Sequence, residues 1–120
     1  MKILAFESSA KAASTALLSD GLLLAEYTQN SGQTHSRTLM QMAKDMLTSC
    51  DLTPQDIGAV AVAAGPGSFT GVRIGMACAK GFAWGRQLPL YGVSTLEAMT
   101  RGAAYADGIY CCLLYTSDAA

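Results

Sequence analysis

Charged residues are scarce in this sequence, and neither sign of charge predominates. Only 14% of the 120 residues are charged, with eight lysines and arginines against nine aspartates and glutamates. This near balance gives no excess of basic residues with which the chain could bind a nucleic-acid backbone directly. No apolar run approaches the length of a membrane span, and the opening MKILAFESSA turns polar too soon for a signal peptide. We therefore expect a cytoplasmic protein that does not enter the membrane.

Metal-binding patterns are missing as well. The four cysteines, Cys50, Cys78, Cys111 and Cys112, lack the spacing of metal ligands, and the only histidine is His35. We interpret the cysteines as reduced thiols, and the lone histidine as a cap or surface residue at a helix start. The sequence predicts no cofactor, and we expect the purified protein to hold no stoichiometric zinc or iron.

The last nine residues, Cys112 to Ala120, differ in character from the sequence before them. The string CLLYTSDAA is what one reading frame of a common transposase-based sequencing adapter encodes. We interpret it as foreign read-through, and a real strand, IYCCLLYT, is the alternative. We therefore expect one domain over residues 1–111, a size that suits a single domain, and a natural protein that continues beyond it.

The order of apolar segments predicts an α/β domain with a mixed sheet of five strands. Three strands come first, with Asp20-Gly21 as the tight type I′ turn of a hairpin. IGAVAVAAG and LPLYGV are the later strands, and the first of these has the continuous apolar character of a buried strand. Helices are predicted over residues 35–50, about 69–85 and 94–106, with Ser94 as the N-cap of the third.

The stretch GPGSFTGVR connects a buried strand to a helix in the manner of a phosphate-binding loop. It has no lysine at the offset that a Walker loop needs, and Thr70 stands where a dinucleotide fingerprint has its third glycine. A tight connection capped by Ser68 or Thr70 is the alternative, since glycine loops often serve geometry only. The candidate residues of the loop are Gly65, Pro66, Gly67, Ser68, Thr70 and Arg73.

Three longer segments carry a family resemblance. GPGSFTGVRIGMACAKGFAWGRQLPLYGVSTLEAM, MKILAFESSAKAASTALL and THSRTLMQMAKDML resemble the bacterial TsaB (YeaZ) family over residues 1 to about 106. The resemblance implies the actin-like ATPase (ASKHA) fold, which has two related lobes of ribonuclease-H-like topology, and this chain corresponds to the first lobe. It also implies a partner of TsaD, the enzyme that attaches a threonylcarbamoyl group to the adenosine beside the tRNA anticodon.

The resemblance further implies how such a chain would assemble. TsaD would bind it as a heterodimer through its first two helices, TsaE would join a larger complex, and the chain alone could form a homodimer. The tRNA would be contacted only through the complex, with no membrane involved.

Two positions support a non-catalytic role within that family. The catalytic relative has two histidines four residues apart on the helix after the strand LPLYGV, a spacing that lets both bind one metal ion. Thr95 and Met99 stand at those positions here, and neither suits a divalent metal. A metal-dependent hydrolase remains an alternative, as does a nucleotide-binding module that holds ATP through Glu7 and the glycine loop. In that module Glu7 would help to hold the nucleotide-bound magnesium, and Ser8 and Ser9 would offer hydroxyls to a phosphate.

The predicted partner surface lies on the first two helices. The second helix has small residues at four-residue intervals from Gly71 to Ala83, which would let a partner helix approach closely, although such a stripe can equally rest on the domain's own sheet. The first helix has methionines, which suit a repackable surface. We expect Gly75 to be exposed in the isolated domain. The predicted interface residues are Leu39, Met42, Met46, Gly71, Gly75, Met76, Ala79 and Phe82.

Overall fold

A computed structural model describes residues 1–9, 12–30 and 36–97 of the chain. Its elements are β1 (Lys2–Glu7), β2 (Ala13–Ser19), β3 (Leu22–Gln29), α1 (Ser36–Ser49), a 3-10 turn (Pro54–Asp56), β4 (Ala59–Gly65), α2 (Phe69–Gly85) and β5 (Leu90–Ser94). The predicted order is confirmed, and both helices begin and end within one residue of their predicted bounds. The predicted foreign tail, residues 112–120, lies outside the described residues.

The five strands form one mixed sheet in the order β3-β2-β1-β4-β5. β1 pairs antiparallel with β2, and β2 pairs antiparallel with β3. β4 pairs parallel with β1 on one side and with β5 on the other. The parallel pairs are linked by α1 and α2, as parallel strands require a long crossover. The predicted mixed sheet is confirmed.

Both helices pack on the same face of the sheet and form the core with it. Alternate residues of a strand point to one face, and register places Leu4 and Phe6 of β1 beside Leu17 of β2 and Val60 and Val62 of β4. All of these side chains are buried. The helices cover them with the buried residues Leu39, Ala43, Met46, Leu47, Cys78, Ala79, Phe82 and Ala83. Burial of each large apolar side chain stabilises the fold by about 1.5–3 kcal/mol.

The hairpin between β2 and β3 turns as predicted. Asp20 has φ 50° and Gly21 has φ 82°, and a type I′ turn needs positive φ at both central residues. The N-terminal ammonium of Met1 donates to Asp20 Oδ1 at 2.6 Å. This hydrogen bond and the positive charge lower the pKa of Asp20.

The third predicted helix is only partly described. Residues 95–97 are helical, and the remainder of the predicted range, 98–106, lies outside the described residues. The backbone N–H of Glu97 donates to Ser94 Oγ at 3.3 Å. That bond is the one an N-cap serine makes, so the predicted cap is confirmed.

Two exposed glycines provide a matched test of backbone conformation. A Cβ at Gly21 or at Gly81 would meet no atom within 4 Å, but only Gly21 has positive φ. We expect Gly21→Ala to lower the free energy of unfolding by about 1–2 kcal/mol, because an L-residue is strained at this φ. Gly81→Ala should raise it by about 0.5–1 kcal/mol, because alanine is the better helix former. Urea unfolding of the two variants checks both signs, and the same sign for both would contradict the assignment of the turn.

Candidate functional site

The glycine-rich loop lies at the carboxyl ends of the paired strands β1 and β4. Residues 8–9 follow β1 and residues 66–68 follow β4, so the two segments meet at one edge of the sheet. In open α/β sheets this edge is the usual place for a ligand. The bonding of the loop therefore decides between a phosphate site and a structural connection.

Two backbone hydrogen-bond donors of the loop, and the Ser8 hydroxyl beside it, are used within the chain. The backbone N–H of Ser68 donates to the carbonyl oxygen of Ser9 at 2.7 Å. The N–H of Gly71 donates to Ser68 Oγ at 3.3 Å, which makes Ser68 the N-cap of α2. The Ser8 hydroxyl donates to the Gly71 carbonyl at 2.6 Å. Two N–H groups that could face an anion are thus already bonded, and the capped connection is the arrangement these contacts favour.

Glu7 is held in the turn that ends β1. Its Oε1 accepts hydrogen bonds from the backbone N–H of Ser9 at 2.7 Å and from the Ser9 hydroxyl at 2.5 Å. Short polar residues commonly close a strand in this way, by bonding to the backbone two residues along. The Oε1 atom of Glu7 is therefore engaged in the local turn.

Three glycines in this region lie directly against the turn after β1. A Cβ at Gly67 would stand 2.5 Å from Ser9 Cβ, and one at Gly75 would stand 2.6 Å from Ser8 Oγ. A Cβ at Gly71 would collide with the backbone carbonyl oxygen of Ser8. The small residues of α2 therefore allow the end of β1 to approach the helix. Sequence reasoning missed this contact because Ser8 and Gly71 are 63 positions apart.

A fourth glycine serves the turn out of β4. Gly65 has φ +108°, a conformation that residues with a side chain rarely adopt. Pro66 follows it through a cis peptide bond. Thr70 and Arg73, the other two predicted loop residues, are exposed in the first turns of α2.

The predicted partner residues lie on the inner faces of the helices, which corrects the expectation of an exposed stripe. Gly75 is buried, because Ser8 and the side chain of Val62 fill the space above it. Spacing alone does not tell which face of a helix a stripe occupies, and this one faces the chain's own sheet. Partner contact itself stays a prediction. The buried members of the predicted set are Leu39, Met46, Gly75, Ala79 and Phe82, and the half-buried members are Met42, Gly71 and Met76.

The opposite face of α2 is exposed and has a different character. Phe69 and Trp84 are 57% and 68% exposed, although both are large apolar side chains. Arg73 lies over the Phe69 ring at 5.0 Å, and Lys80 lies over the Trp84 ring at 5.6 Å, as cation–π pairs do. We call the exposed residues Phe69, Thr70, Arg73, Ala77, Lys80, Gly81 and Trp84 the α2 outer face.

The α2 outer face has a shallow groove at one end and small residues near its middle. The groove has a volume of about 290 Å³ and is lined by Phe69, Thr70, Arg73, Ile74 and Ala77. Ala77 and Gly81 are exposed one turn apart. Sequence reasoning missed this face, although exposed aromatics with a cation three or four residues away are a detectable pattern.

The structure offers no metal site within residues 1–9, 12–30 and 36–97. No three histidine, cysteine, aspartate or glutamate side chains come together there. Thr95 is buried, and its Oγ1 makes no hydrogen bond within this part of the chain. His35 and Met99 lie outside it. Burial raises the pKa of the Cys78 thiol, as suits a small core residue. None of the described helices has the length and apolar character that crossing a membrane requires.

Comparisons with known proteins agree with the family resemblance. The family model described as "TsaD: tRNA N6-adenosine threonylcarbamoyltransferase" matches residues 23–118. The tRNA threonylcarbamoyladenosine biosynthesis protein TsaB of Escherichia coli is 43% identical over 90% of this chain and 46% of that protein. The chain spans about half the length of the curated relatives it matches.

Solved structures confirm the predicted fold class. A Pseudomonas aeruginosa protein described by its similarity to peptidase YeaZ has a TM-score of 0.80 and 33% identity, over 89% of this chain and 49% of that one. The Thermus thermophilus RuvC structure has a TM-score of 0.53 at 14% identity, over 90% of this chain and 74% of that one, and shows the fold alone. The chain has the predicted actin-like (ASKHA) lobe with ribonuclease-H-like topology.

The contact between Ser8 and α2 can be tested with a double-mutant cycle. Gly75→Ala should lower the free energy of unfolding by about 1–3 kcal/mol, because its Cβ would displace the Ser8 hydroxyl. In a Ser8→Ala background the same change should cost much less, since that hydroxyl is gone. Gly71→Ala serves as the control, because the Ser8 backbone oxygen that it meets remains in both backgrounds. Urea unfolding of all six proteins measures the coupling, and an equal cost of Gly75→Ala in both backgrounds would contradict the described packing.

Proposed function

The chain belongs to the family described as TsaD: tRNA N6-adenosine threonylcarbamoyltransferase, and from this membership we propose that it is a non-catalytic subunit. In this proposal it binds TsaD and supports threonylcarbamoyl transfer to the tRNA adenosine beside the anticodon. The TsaB relatives, whose name assigns them to tRNA threonylcarbamoyladenosine biosynthesis, support the pathway. A role in tRNA modification also favours the cytoplasm as the location of this chain.

The bonding of the loop supports a role other than catalysis. Ser68 and Gly71 use their N–H groups within the chain, and Glu7 is held by Ser9. A nucleotide would have to break these bonds before the loop could cradle its phosphates, and each bond is worth about 0.5–1.5 kcal/mol. Thr95 further supports the proposal: its side chain is buried, and by the family resemblance it stands where the catalytic relative has a histidine.

The α2 outer face is the surface that we assign to TsaD, and Gly81 is the observation that carries the assignment. Glycine in a helix interior costs about 0.5–1 kcal/mol relative to alanine. Nothing in the described chain requires glycine at this position, since a Cβ would meet no atom within 4 Å. Close approach of a partner helix at Gly81 and Ala77 would explain why this position is glycine. The exposed rings of Phe69 and Trp84 would then contact the two ends of the partner helix.

The interface residues predicted from the sequence all lie outside the α2 outer face and take other parts in this proposal. Gly71 lies against the turn after β1. Half-buried Met42 and Met76 pack against the core and adjust the helices to the partner. The buried residues hold α1 and α2 on the sheet and act on the partner only through the position of the helices; they are Leu39, Met46, Gly75, Ala79 and Phe82. TsaE and a second copy of the chain are further proposed partners, and tRNA is contacted only through the complex.

A bulky residue at Gly81 tests both the partner and the surface. We expect Gly81→Leu to weaken binding to TsaD by at least about tenfold, because overpacking at a close helix contact costs about 1–3 kcal/mol. The thermal midpoint should not fall, because Gly81 is exposed and a Cβ there meets no atom of the described residues within 4 Å. Calorimetric titration with Escherichia coli TsaD measures the affinity, and thermal unfolding measures the stability.

Gln55→Leu is the matched control, since it adds an exposed leucine in the 3-10 turn. It should change neither the affinity nor the thermal midpoint appreciably. Failure of the unaltered chain to bind TsaD would overturn the proposed function. Unchanged affinity of Gly81→Leu would leave the partner in place but overturn the assigned surface.

A further inference from the structure

The positive charge of this chain is concentrated on its two long helices. Four basic residues lie on α1 and α2, namely Arg37, Lys44, Arg73 and Lys80, against the single acidic residue Asp45. The rest of the chain has four basic and eight acidic residues. The two helices therefore have a net charge of +3 in a protein whose total net charge is −1. The net charge of the helix layer is thus opposite in sign to that of the rest of the chain.

The four helix cations are exposed and lack carboxylate partners in the described residues. All four side chains are exposed, and no described carboxylate forms a salt bridge with any of them. Asp45 instead accepts a hydrogen bond from Gln41 Nε2 at 2.9 Å. Arg73 and Lys80 lie over the aromatic rings of the α2 outer face. A partner that covers this face must either remove these charges from water without compensation, which is costly, or supply carboxylates.

We propose that the occupant of the α2 outer face is an acidic helix of the partner protein, with carboxylates that meet Arg73 and Lys80. This inference rests on the proposed function and adds the chemistry of the partner's contact segment. The two cations are seven residues apart, about 10.5 Å along the helix axis, so carboxylates two turns apart on the partner would face both. Ala77 lies between them and Gly81 directly follows Lys80, and both leave room for apolar side chains of that helix.

The same charges weaken pairing with a second copy of this chain through α2 at low salt. An isologous pair through α2 would bring Arg73 and Lys80 of one copy toward the same residues of the other. Like charges across an interface oppose association, and salt screens that repulsion. Association with an acidic partner is weakened by salt, whereas self-association is strengthened. The two complexes therefore have salt dependences of opposite sign.

Nucleic acid is the other anionic ligand that such charges could attract, and the shape of the face argues against it. The exposed small residues Ala77, between the cations, and Gly81, next to Lys80, form an apolar centre on this face, where a phosphate backbone would place charge against carbon. A helix fills that centre with apolar side chains and keeps its carboxylates at the margin. Binding of tRNA to the chain alone is the outcome that would favour nucleic acid.

The experiment measures affinity for TsaD and self-association of the full chain between about 50 and 300 mM salt. We expect the affinity for TsaD to fall about tenfold over this range, while self-association strengthens. Arg73→Gln with Lys80→Gln should weaken TsaD binding about tenfold at low salt and remove most of the salt dependence. Arg73→Lys should retain the salt dependence because it keeps the charge. Lys2→Gln, which removes a cation from the sheet, should retain it as well.

The outcomes separate this inference from the proposed function. Binding to TsaD that does not respond to salt, or that the double variant leaves unchanged, would overturn the acidic partner and leave the proposed function standing. No binding to TsaD at any salt concentration would overturn the proposed function, and the inference with it. Binding of tRNA by the chain alone, lost in the double variant, would assign the face to nucleic acid and overturn the inference. Self-association that salt weakens would contradict the predicted weakening of pairing with a second copy at low salt.

Discussion

The close approach of the end of β1 to helix α2 is the constraint on which this end of the molecule depends. The Ser8 carbonyl lies where a Cβ of residue 71 would be, and the Ser8 hydroxyl lies 2.6 Å from where a Cβ of residue 75 would be. Two hydrogen bonds, from Ser68 N to Ser9 O and from Ser8 Oγ to Gly71 O, fix the same contact. The helix can therefore begin at Phe69 directly beside the strand end, with glycine wherever the two backbones meet.

This contact gives α2 two faces with separate tasks. The inner face has small residues because the sheet and the turn after β1 lie against it, and it belongs to the core. The outer face has two exposed rings, two cations and a glycine, Gly81, that no contact among the described residues requires. A loop that resembles a phosphate cradle thus has two of its N–H groups, those of Ser68 and Gly71, bonded to the chain, and it sets the orientation of the helix that presents the outer face.

Much of the fold follows from local patterns, and the orientation of α2 does not. Asp20-Gly21 and Ser94 act through their own neighbours, so the turn and the cap could be predicted from the sequence. The apolar segments likewise indicated the order and type of the elements. Which face of α2 packs against the sheet depends on contacts with Ser8. Ser8 lies 63 positions before its partner Gly71, so this contact is not a local one. Both faces of α2 contain small residues, Gly75 inside and Gly81 outside, so spacing alone could not distinguish them.

Hydrogen exchange of the Ser68 and Gly71 amides, with and without magnesium ATP, tests most directly whether the glycine loop is a structural connection. Both N–H groups donate within the chain, so both should exchange slowly, and saturating nucleotide should not alter their rates. Exchange is slowed when a bonded amide must open before it meets solvent. Fast exchange in the free protein that becomes slow with ATP would contradict this account, because it would mean that the loop is an open phosphate cradle.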